Sequence, residues 1–375
     1  MKRTISVLLT LLLALSLFSG CGNEAIEKPA SAVEENPGTE ESTSEDFKVG
    51  FIYVGPIGDG GWSYSHNEGR LYLEQELGVE TIYRESVPEG PEVEKVMNDM
   101  IDQGAKVIFA TSFGYMDYVE KVSKEHPDVK FLHCSGYKTT ENMSNYFGRM
   151  YEPRYLSGVV AGLKTKSNKV GYVAAFEIPE VIRGINAFTL GVRSVNPDAK
   201  VMVRWTHTWY DPAKEKEAAK SLLDEGTDVI AQHQDTAGPQ QAAEEAGACS
   251  IGYNTDSFDK APKAYMTAPV WNWGPYYVEQ VKAAKEGSWE SHSYWGGMKD
   301  KIVELAPLTE NAPEAAEAKI KEVEAKILNG ELNIFGGPLK NQEGEVVVED
   351  GKMLTDGEML SMDWFVEGVE GKIEK

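Results

Sequence analysis

The sequence has few cysteines and few histidines for a chain of 375 residues. Three cysteines cannot build a disulfide scaffold, and we do not expect a zinc site with several cysteine ligands. The six histidines show no H-E-x-x-H motif or comparable metal-ligand spacing. We therefore expect neither a resident metal nor a cofactor.

Signatures of phosphate-binding and hydrolytic enzymes are also absent. The glycine-rich stretch at 55–61 is not followed by Lys-Ser or Lys-Thr, so it is not a P-loop. The motifs G-x-G-x-x-G and G-x-S-x-G do not occur. His133 and Cys134 are neighbours on a predicted strand and point to opposite faces, which makes a poor nucleophile–base pair. We predict that the chain is not an enzyme.

Basic residues are scarce relative to acidic ones. There are 37 Lys and Arg against 60 Asp and Glu, and the formal net charge is −23. Such a negative surface repels phosphate backbones, so nucleic acid is not an expected partner.

The N-terminus carries the features of a bacterial lipoprotein signal. Lys2 and Arg3 precede an apolar run that ends at Phe18, too short to span a bilayer comfortably. Ser19 and Gly20 then lead to Cys21, a pattern that resembles a lipobox with Phe18 in the usual Leu position. We predict that residues 1–20 form the signal peptide and that Cys21 is lipidated. An ordinary secretory signal with an incidental cysteine is the alternative.

Residues 21–46 are predicted to form a disordered acidic tether. Between residues 23 and 46 there are eight acidic side chains, one lysine and no aromatic residue. Such a segment cannot bury enough apolar surface to order itself. The predicted location is the extracytoplasmic face of the cell membrane, extracellular or periplasmic.

From residue 47 onward, short apolar runs alternate with amphipathic stretches. The run at 48–54 predicts a strand, and the stretch at 92–103 predicts a helix with Val93, Met97 and Met100 on one face. This alternation predicts an α/β fold with parallel sheets, divided into two doubly wound lobes of similar size. A ligand site is expected at the carboxyl ends of the strands.

Aromatic and acidic residues recur in the loops that follow the predicted strands. An aromatic face can stack on a flat heterocycle, and a carboxylate can accept N–H or O–H hydrogen bonds. Together they suit a purine better than a phosphate or simple anion. The candidate ligand-binding residues are Asp59, Trp62, Phe113, Trp209, Asp235, Asp256 and Trp273.

Several of these loop residues also have a purely structural interpretation. Trp62 could cover a packed loop, and Trp273 could belong to the core near a helix start. Asp59, between glycines, could set a turn. Asp211 before Pro212 is typical of a helix N-cap, and Glu180 suits the first turn of a helix.

The region from Phe47 to the C-terminus resembles the basic membrane protein family, also called the purine nucleoside receptor family, of substrate-binding lipoproteins of ABC transporters. The matching segments include Gly58-Asp59-Gly60-Gly61-Trp62, Ser112-Phe113-Gly114, Pro179-Glu180, Trp209-x-Asp211-Pro212, Gly274-Pro275-Tyr276-Tyr277 and Trp364-Phe365.

The resemblance implies a type I periplasmic-binding-protein fold, with two lobes joined by three crossover segments. The N-lobe would comprise residues 47–149 and about 258–296, and the C-lobe residues 150–257 and about 297–375. It also implies ligand contacts from Asp59, Trp62, Phe113 and Trp209, and a ribose contact from Asp256.

Two positions depart from the family pattern. The segment 232–236, Gln-His-Gln-Asp-Thr, replaces an Ala-Gly-Gly loop, and Trp271 replaces a lysine. An added carboxylate and a lost lysine resemble the branch of the family associated with adenine-type ligands.

The resulting prediction is a lipid-anchored binding protein that captures a purine base or nucleoside and delivers it to an ABC permease and its ATPase. A surface sensor that does not take part in transport is one alternative. A nucleoside hydrolase is a second, less favoured one.

The lipid anchor leads to a direct test. Because the tether separates the anchor from the fold, Cys21→Ala should release the protein into the soluble or secreted fraction while ligand binding persists. Fractionation followed by immunoblotting measures this, and continued membrane retention of the variant would reject lipidation as the anchor.

Overall fold

The computed structural model describes residues 47–374, so the predicted signal peptide, Cys21 and acidic tether lie outside the described residues. Within this range, no helix is both long enough and apolar enough to span a membrane.

The first lobe begins with alternating strands and helices. α2 is amphipathic, with Val93, Met97 and Met100 buried along one face, and α1 stops where Gly78 adopts a left-handed conformation at φ 61°. The elements are β1 (Lys48–Ile52), α1 (Trp62–Leu77), β2 (Glu80–Arg84), α2 (Glu92–Asp102), β3 (Ala105–Ala110), α3 (Met116–Glu125), β4 (Lys130–Cys134) and β5 (Met143–Gly148).

The second lobe repeats this alternation. Asp211 is the N-cap of its third helix and accepts a hydrogen bond from the Lys214 backbone N–H, which confirms the predicted cap. The elements are α4 (Tyr151–Lys164), β6 (Lys169–Ala174), α5 (Pro179–Val195), β7 (Lys200–Trp205), α6 (Pro212–Asp224), β8 (Val229–His233), α7 (Gly238–Glu245), β9 (Cys249–Ile251) and β10 (Tyr265–Thr267).

The C-terminal third of the chain contributes to both lobes. Its elements are β11 (Pro269–Trp271), α8 (Gly274–Glu286), β12 (Ser293–Gly296), β13 (Val303–Leu305), α9 (Ala316–Leu328), β14 (Leu339–Lys340), β15 (Val346–Val348), α10 (Asp356–Leu360) and β16 (Val369–Glu370).

Each lobe is built on a six-stranded parallel sheet. The strand orders are β12-β5-β4-β3-β1-β2 and β10-β9-β8-β6-β7-β16. In β3, Val107 and Phe109 pack into one apolar cluster, whereas Ile108 and Ala110 pack into another. Both faces of the sheet are therefore covered, as the predicted doubly wound architecture requires.

The chain crosses between the lobes three times, which confirms the predicted architecture. It passes from β5 to α4, from β10 through β11 to α8, and from β12 to β13. β11 and β13 pair antiparallel, with Trp271 opposite Val303, so two of the crossings support each other.

One predicted lobe boundary differs from the structure. The sequence places the return to the N-lobe at about residue 258, but β10 at Tyr265–Thr267 pairs with β9 in the second sheet. The boundary therefore falls after Thr267. The amino-acid composition does not change between β9 and β10, so the sequence gives no signal for this lobe boundary.

Helices α4 and α5 approach each other through glycines. A Cβ at Gly191 would lie 2.0 Å from the carbonyl oxygen of Tyr155, and one at Gly158 would lie 2.1 Å from that of Phe188. These obstacles are backbone atoms, so no side-chain rotation can relieve them. The close packing of α4 against α5 therefore requires glycine, which has no Cβ, at both Gly158 and Gly191.

Gly191→Ala should lower the free energy of unfolding by about 1–3 kcal/mol, because overpacking outweighs the better helix propensity of alanine. Urea titration against the wild-type protein measures the change. Gly357→Ala in α10 is the matched control, since its nearest neighbour would be Thr355 Oγ1 at 4.0 Å. Equal stability of the two variants would contradict the close-packing account.

Candidate functional site

A cavity of about 350 Å³ lies between the lobes. The carboxyl ends of the parallel strands in both sheets supply much of its wall, which is where ligands bind in parallel α/β folds. The first lobe lines it with Val54, Trp62, Ser112, Phe113 and Ser135, and the second with Glu180, Trp209, His233, Asp235 and Tyr253.

Trp62 is the first residue of α1 and is held from several sides. Its Nε1 donates to the carbonyl oxygen of Thr111 at 2.6 Å. Its ring makes edge contacts with Trp271 and Trp273, at centroid distances of 5.5 and 5.8 Å. The indole therefore reaches the cavity with its orientation fixed, which lowers the entropy cost of stacking on a ligand.

Asp59 organises the start of α1 rather than the cavity wall. Its Oδ1 accepts from the backbone N–H groups of Gly61 and Tyr64 at 2.8 and 3.0 Å. Its Oδ2 accepts from the N–H of Ser63 at 3.0 Å. Burial raises its pKa, and these N–H groups oppose the rise. Asp59 therefore caps the start of α1 and is not among the residues that line the cavity. Its ligand contact stays a prediction.

Phe113 lies in a single helical turn, Phe113–Tyr115, directly after β3. The turn is held by Glu89, whose Oε1 accepts from the Ser112 hydroxyl and from the Gly114 N–H at 2.5 and 2.9 Å. This arrangement presents the Phe113 ring to the cavity.

Trp209 supplies the aromatic wall of the second lobe. Its ring packs edge-on against Phe176 at 5.1 Å between centroids. Its carbonyl oxygen accepts from the backbone N–H of Asp235 at 3.3 Å, which ties two predicted site residues together. The structure thus brings Trp62, Phe113, Trp209 and Asp235 to one cavity, as the sequence predicts for these four.

Asp235 is a buried carboxyl group with little protein compensation. Its Oδ1 accepts from the Asn254 side-chain amide at 3.2 Å, and no group of residues 47–374 donates to Oδ2. Burial raises its pKa well above the ordinary value, and the carboxylates of Asp59 and Glu215 raise it further. The ionised form of Asp235 thus lacks compensation from the protein, and a ligand N–H directed at Oδ2 would supply it.

Three polar residues in the wall were not predicted as ligand contacts. The Ser135 hydroxyl donates to Glu180 Oε2 across the lobes. Glu180 Oε1 lies 3.5 Å from Nε2 of His233. Burial lowers the pKa of His233 to about 4, so its ring is neutral at neutral pH. Burial raises the pKa of Glu180, but the hydrogen bonds and charge of its neighbours lower it overall.

Two predicted contacts do not lie at the cavity. Trp273 is fully buried, stacks on His66 and Trp271, and supports Trp62 from behind. Asp256 is exposed and accepts from the backbone N–H of Phe258 at 3.2 Å, at the start of a short helical turn. Its placement does not match the ribose contact that the resemblance implies.

The lobes meet at the edge of the cavity. The Thr255 hydroxyl donates to the carbonyl oxygen of Gly60 at 2.6 Å. A Cβ at Gly61 would lie 2.2 Å from the backbone oxygen of Asp235. The structure is therefore a closed arrangement of the lobes, and a side chain at Gly61 is incompatible with it.

One cluster in the described residues has the composition of a cation site. Glu177, His207 and Glu374 each place one ligand atom within 4.8 Å of the others. Two of the three are exposed and none lines the cavity, so the cluster has no part in the ligand site.

Comparison with known proteins agrees with this geometry. The family model for PnrA-like ABC transporter substrate-binding proteins matches residues 47–336. A purine-binding protein of Brucella abortus is 45% identical over 88% of this chain and 94% of its own length. A Haloferax volcanii protein, provisionally named as the ABC transporter glucose-binding protein TsgA13, is 39% identical over 91% of this chain and 85% of its own length.

Solved structures show the same fold. A solute-binding protein of an ABC transporter from Conexibacter woesei superimposes with a TM-score of 0.65 over 76% of this chain and 98% of its own, at 23% identity. The prediction of a non-enzymatic binder is confirmed by the family match. The chain therefore belongs to the PnrA-like family of ABC transporter substrate-binding proteins.

Proposed function

We propose that this binding protein captures an amino-substituted purine, with adenine as the preferred ligand. The base would lie between the indoles of Trp62 and Trp209, which line the cavity from opposite lobes. Base–aromatic stacking is worth about 1–3 kcal/mol per base. The Asp235 carboxyl group would accept the exocyclic amine, which supplies the hydrogen bond that the protein does not give to Oδ2.

The charge of the lining residues supports a neutral ligand. None of the ten is Lys or Arg, so a phosphorylated ligand would meet buried carboxyl groups without a compensating cation. The purine-binding relative from Brucella abortus supports the same class. The observation that carries the proposal is a buried, undercompensated carboxyl group beside two tryptophans.

A monosaccharide is the competing ligand, because the Haloferax volcanii relative is named for glucose. Sugars also stack on aromatic faces, but they present hydroxyl groups around the whole ring. A single amine on a flat ring would instead engage Asp235 from one edge. Binding measured by calorimetry with adenine, hypoxanthine and glucose separates the two classes.

We also propose that lipidation of Cys21 holds the protein at the extracytoplasmic membrane face, from where it passes ligand to the permease. The family match supports the transporter role, and the lipobox-like segment Phe18-Ser19-Gly20-Cys21 supports lipidation.

The stacking and carboxyl roles predict different ligand dependence. Trp62→Ala should weaken adenine and hypoxanthine alike, by about 1–3 kcal/mol. Asp235→Asn should weaken the binding of adenine about 5- to 150-fold more than that of hypoxanthine, which has a carbonyl in place of the amine. This is the fold-change expected when a buried hydrogen bond worth about 1–3 kcal/mol is lost. Calorimetric titration of both variants with both ligands measures these losses.

Asp256→Asn is the matched control for Asp235→Asn, because it makes the same chemical change at an exposed carboxylate outside the cavity. It should leave the affinity for both bases unchanged. Equal losses for the two bases in Asp235→Asn would reject its role in reading the base.

Lobe closure gives a separate prediction. Gly61→Ala would place a methyl group against the Asp235 backbone oxygen and should weaken ligand binding at least tenfold by opposing closure. Gly58→Ala, whose Cβ would have no neighbour within 4 Å, should bind like the wild-type protein. Small-angle X-ray scattering with and without adenine would show whether Gly61→Ala fails to compact; wild-type compaction in that variant would contradict the account.

A further inference from the structure

A second, smaller chamber adjoins the ligand cavity, with about 220 Å³ of space not filled by protein atoms, open solvent included. Glu180, His233 and Tyr253 line both spaces and form the wall between them. On its far side the chamber is lined by Arg154 and Arg183. The two guanidinium groups distinguish it from the ligand cavity, which has none.

Arg154 is fully buried, and its side chain is only partly satisfied by the protein. Its guanidinium carbon lies 3.7 Å from the centroid of the Tyr253 ring, and its Nη1 donates to the carbonyl oxygen of Gln232 at 2.6 Å. Its Nε and Nη2 have no hydrogen-bond partner among residues 47–374. These two atoms form one edge of the guanidinium, the edge that binds anions in a bidentate manner.

The charges around the chamber do not balance. Arg183 is 4% exposed and donates to the Met359 carbonyl oxygen at 2.8 Å, and burial lowers its pKa to about 10, which leaves it protonated at neutral pH. Neither arginine has a carboxylate within 4.0 Å in the described chain. The one carboxylate in the lining, Glu180, is hydrogen-bonded to Ser135 on the opposite lobe.

Buried charges in proteins are almost always paired, because an isolated ion in a low-dielectric interior is strongly unfavourable. Water can satisfy the N–H groups of Arg154 but cannot neutralise its charge. His233 cannot contribute a negative charge, and it is neutral at neutral pH.

We propose that this chamber binds a small inorganic anion of about the size of chloride, held by the Nε and Nη2 atoms of Arg154. Arg183 contributes a second positive charge to the same chamber. The anion and the Glu180 carboxylate together balance the two guanidinium charges, since Glu180 lines the same chamber and interacts electrostatically with Arg183. Glu180 also keeps its hydrogen bond to Ser135 at the lobe interface. The inference does not depend on which ligand occupies the neighbouring cavity.

Bromide is the direct probe. Crystals of the wild-type protein grown in sodium bromide should show an anomalous peak, at the bromine absorption edge, in contact with Arg154 Nε and Nη2. An empty or non-anomalous chamber at high bromide concentration would overturn the proposal, whatever the ligand cavity contains.

A solution experiment tests the same site through stability. At constant ionic strength, replacing gluconate by chloride should raise the melting temperature of the wild-type protein by about 2–4 °C, as expected for an anion that binds only the folded state. Arg154→Met should lose this response. Arg204→Met, which removes a half-exposed guanidinium already paired with Glu225, is the matched control and should keep it.

An unchanged chloride response in Arg154→Met would reject Arg154 as the anion ligand. If this variant does not fold, Arg154→Lys retains the charge without the two-donor edge and should show a reduced response. A full response in Arg154→Lys, together with an absent bromide peak in the wild-type protein, would exclude the site.

Discussion

The contact between Gly61 and the backbone of Asp235 sets the geometry on which the binding site depends. There, the two lobes come within backbone contact distance, and a Cβ would not fit. Because the lobes close this far, the indoles of Trp62 and Trp209 line one cavity and the Asp235 carboxyl group is buried. Closure therefore brings the two stacking surfaces together, and it buries the Asp235 carboxyl group, whose Oδ2 then lacks a hydrogen-bond donor.

The same closure explains why Asp235, rather than Asp59 or Glu215, is the acidic residue expected to bind the ligand. Asp59 and Glu215 are satisfied by backbone N–H groups and hold their helices in place. Asp235 receives one amide hydrogen bond and lies near both of them, so a ligand has most to contribute there. Selectivity for an amine donor follows from this difference in compensation. In the second chamber, the guanidinium groups of Arg154 and Arg183 carry positive charge that the protein does not fully balance, and an anion would supply the missing negative charge.

Much of the fold could be predicted from the sequence. The apolar runs that became β1, β3, β4 and β6 and the amphipathic stretch of α2 carry strong periodic signals. β5 and β12 gave no such signal. They contain polar residues and are held by pairing within the sheet: β5 lies between β4 and β12, with His133 and Ser293 opposite Asn145 on its two sides. Such pairing is a tertiary effect that local patterns do not encode.

The site was predictable where residue type and position agreed. Trp62, Phe113, Trp209 and Asp235 follow strand ends and converge on the cavity. Trp273 and Asp256 occupy similar loops but do not line the cavity. Trp273 instead packs against Trp271, and Asp256 caps a helical turn, roles for which tryptophan and aspartate are equally suited. Conversely, Ser135, His233 and Tyr253 line the cavity but were not predicted as ligand contacts, because each is a single residue outside any motif. Their only signal was their position at or just after the ends of β4, β8 and β9.

The central claim is that the cavity holds a purine. Native mass spectrometry of the protein purified without added ligand tests it directly, because a closed cavity retains its ligand in the gas phase. The account predicts a bound species with the mass of an amino-substituted purine, displaced by excess adenine. A bound species with the mass of a hexose, unaffected by adenine, would contradict it.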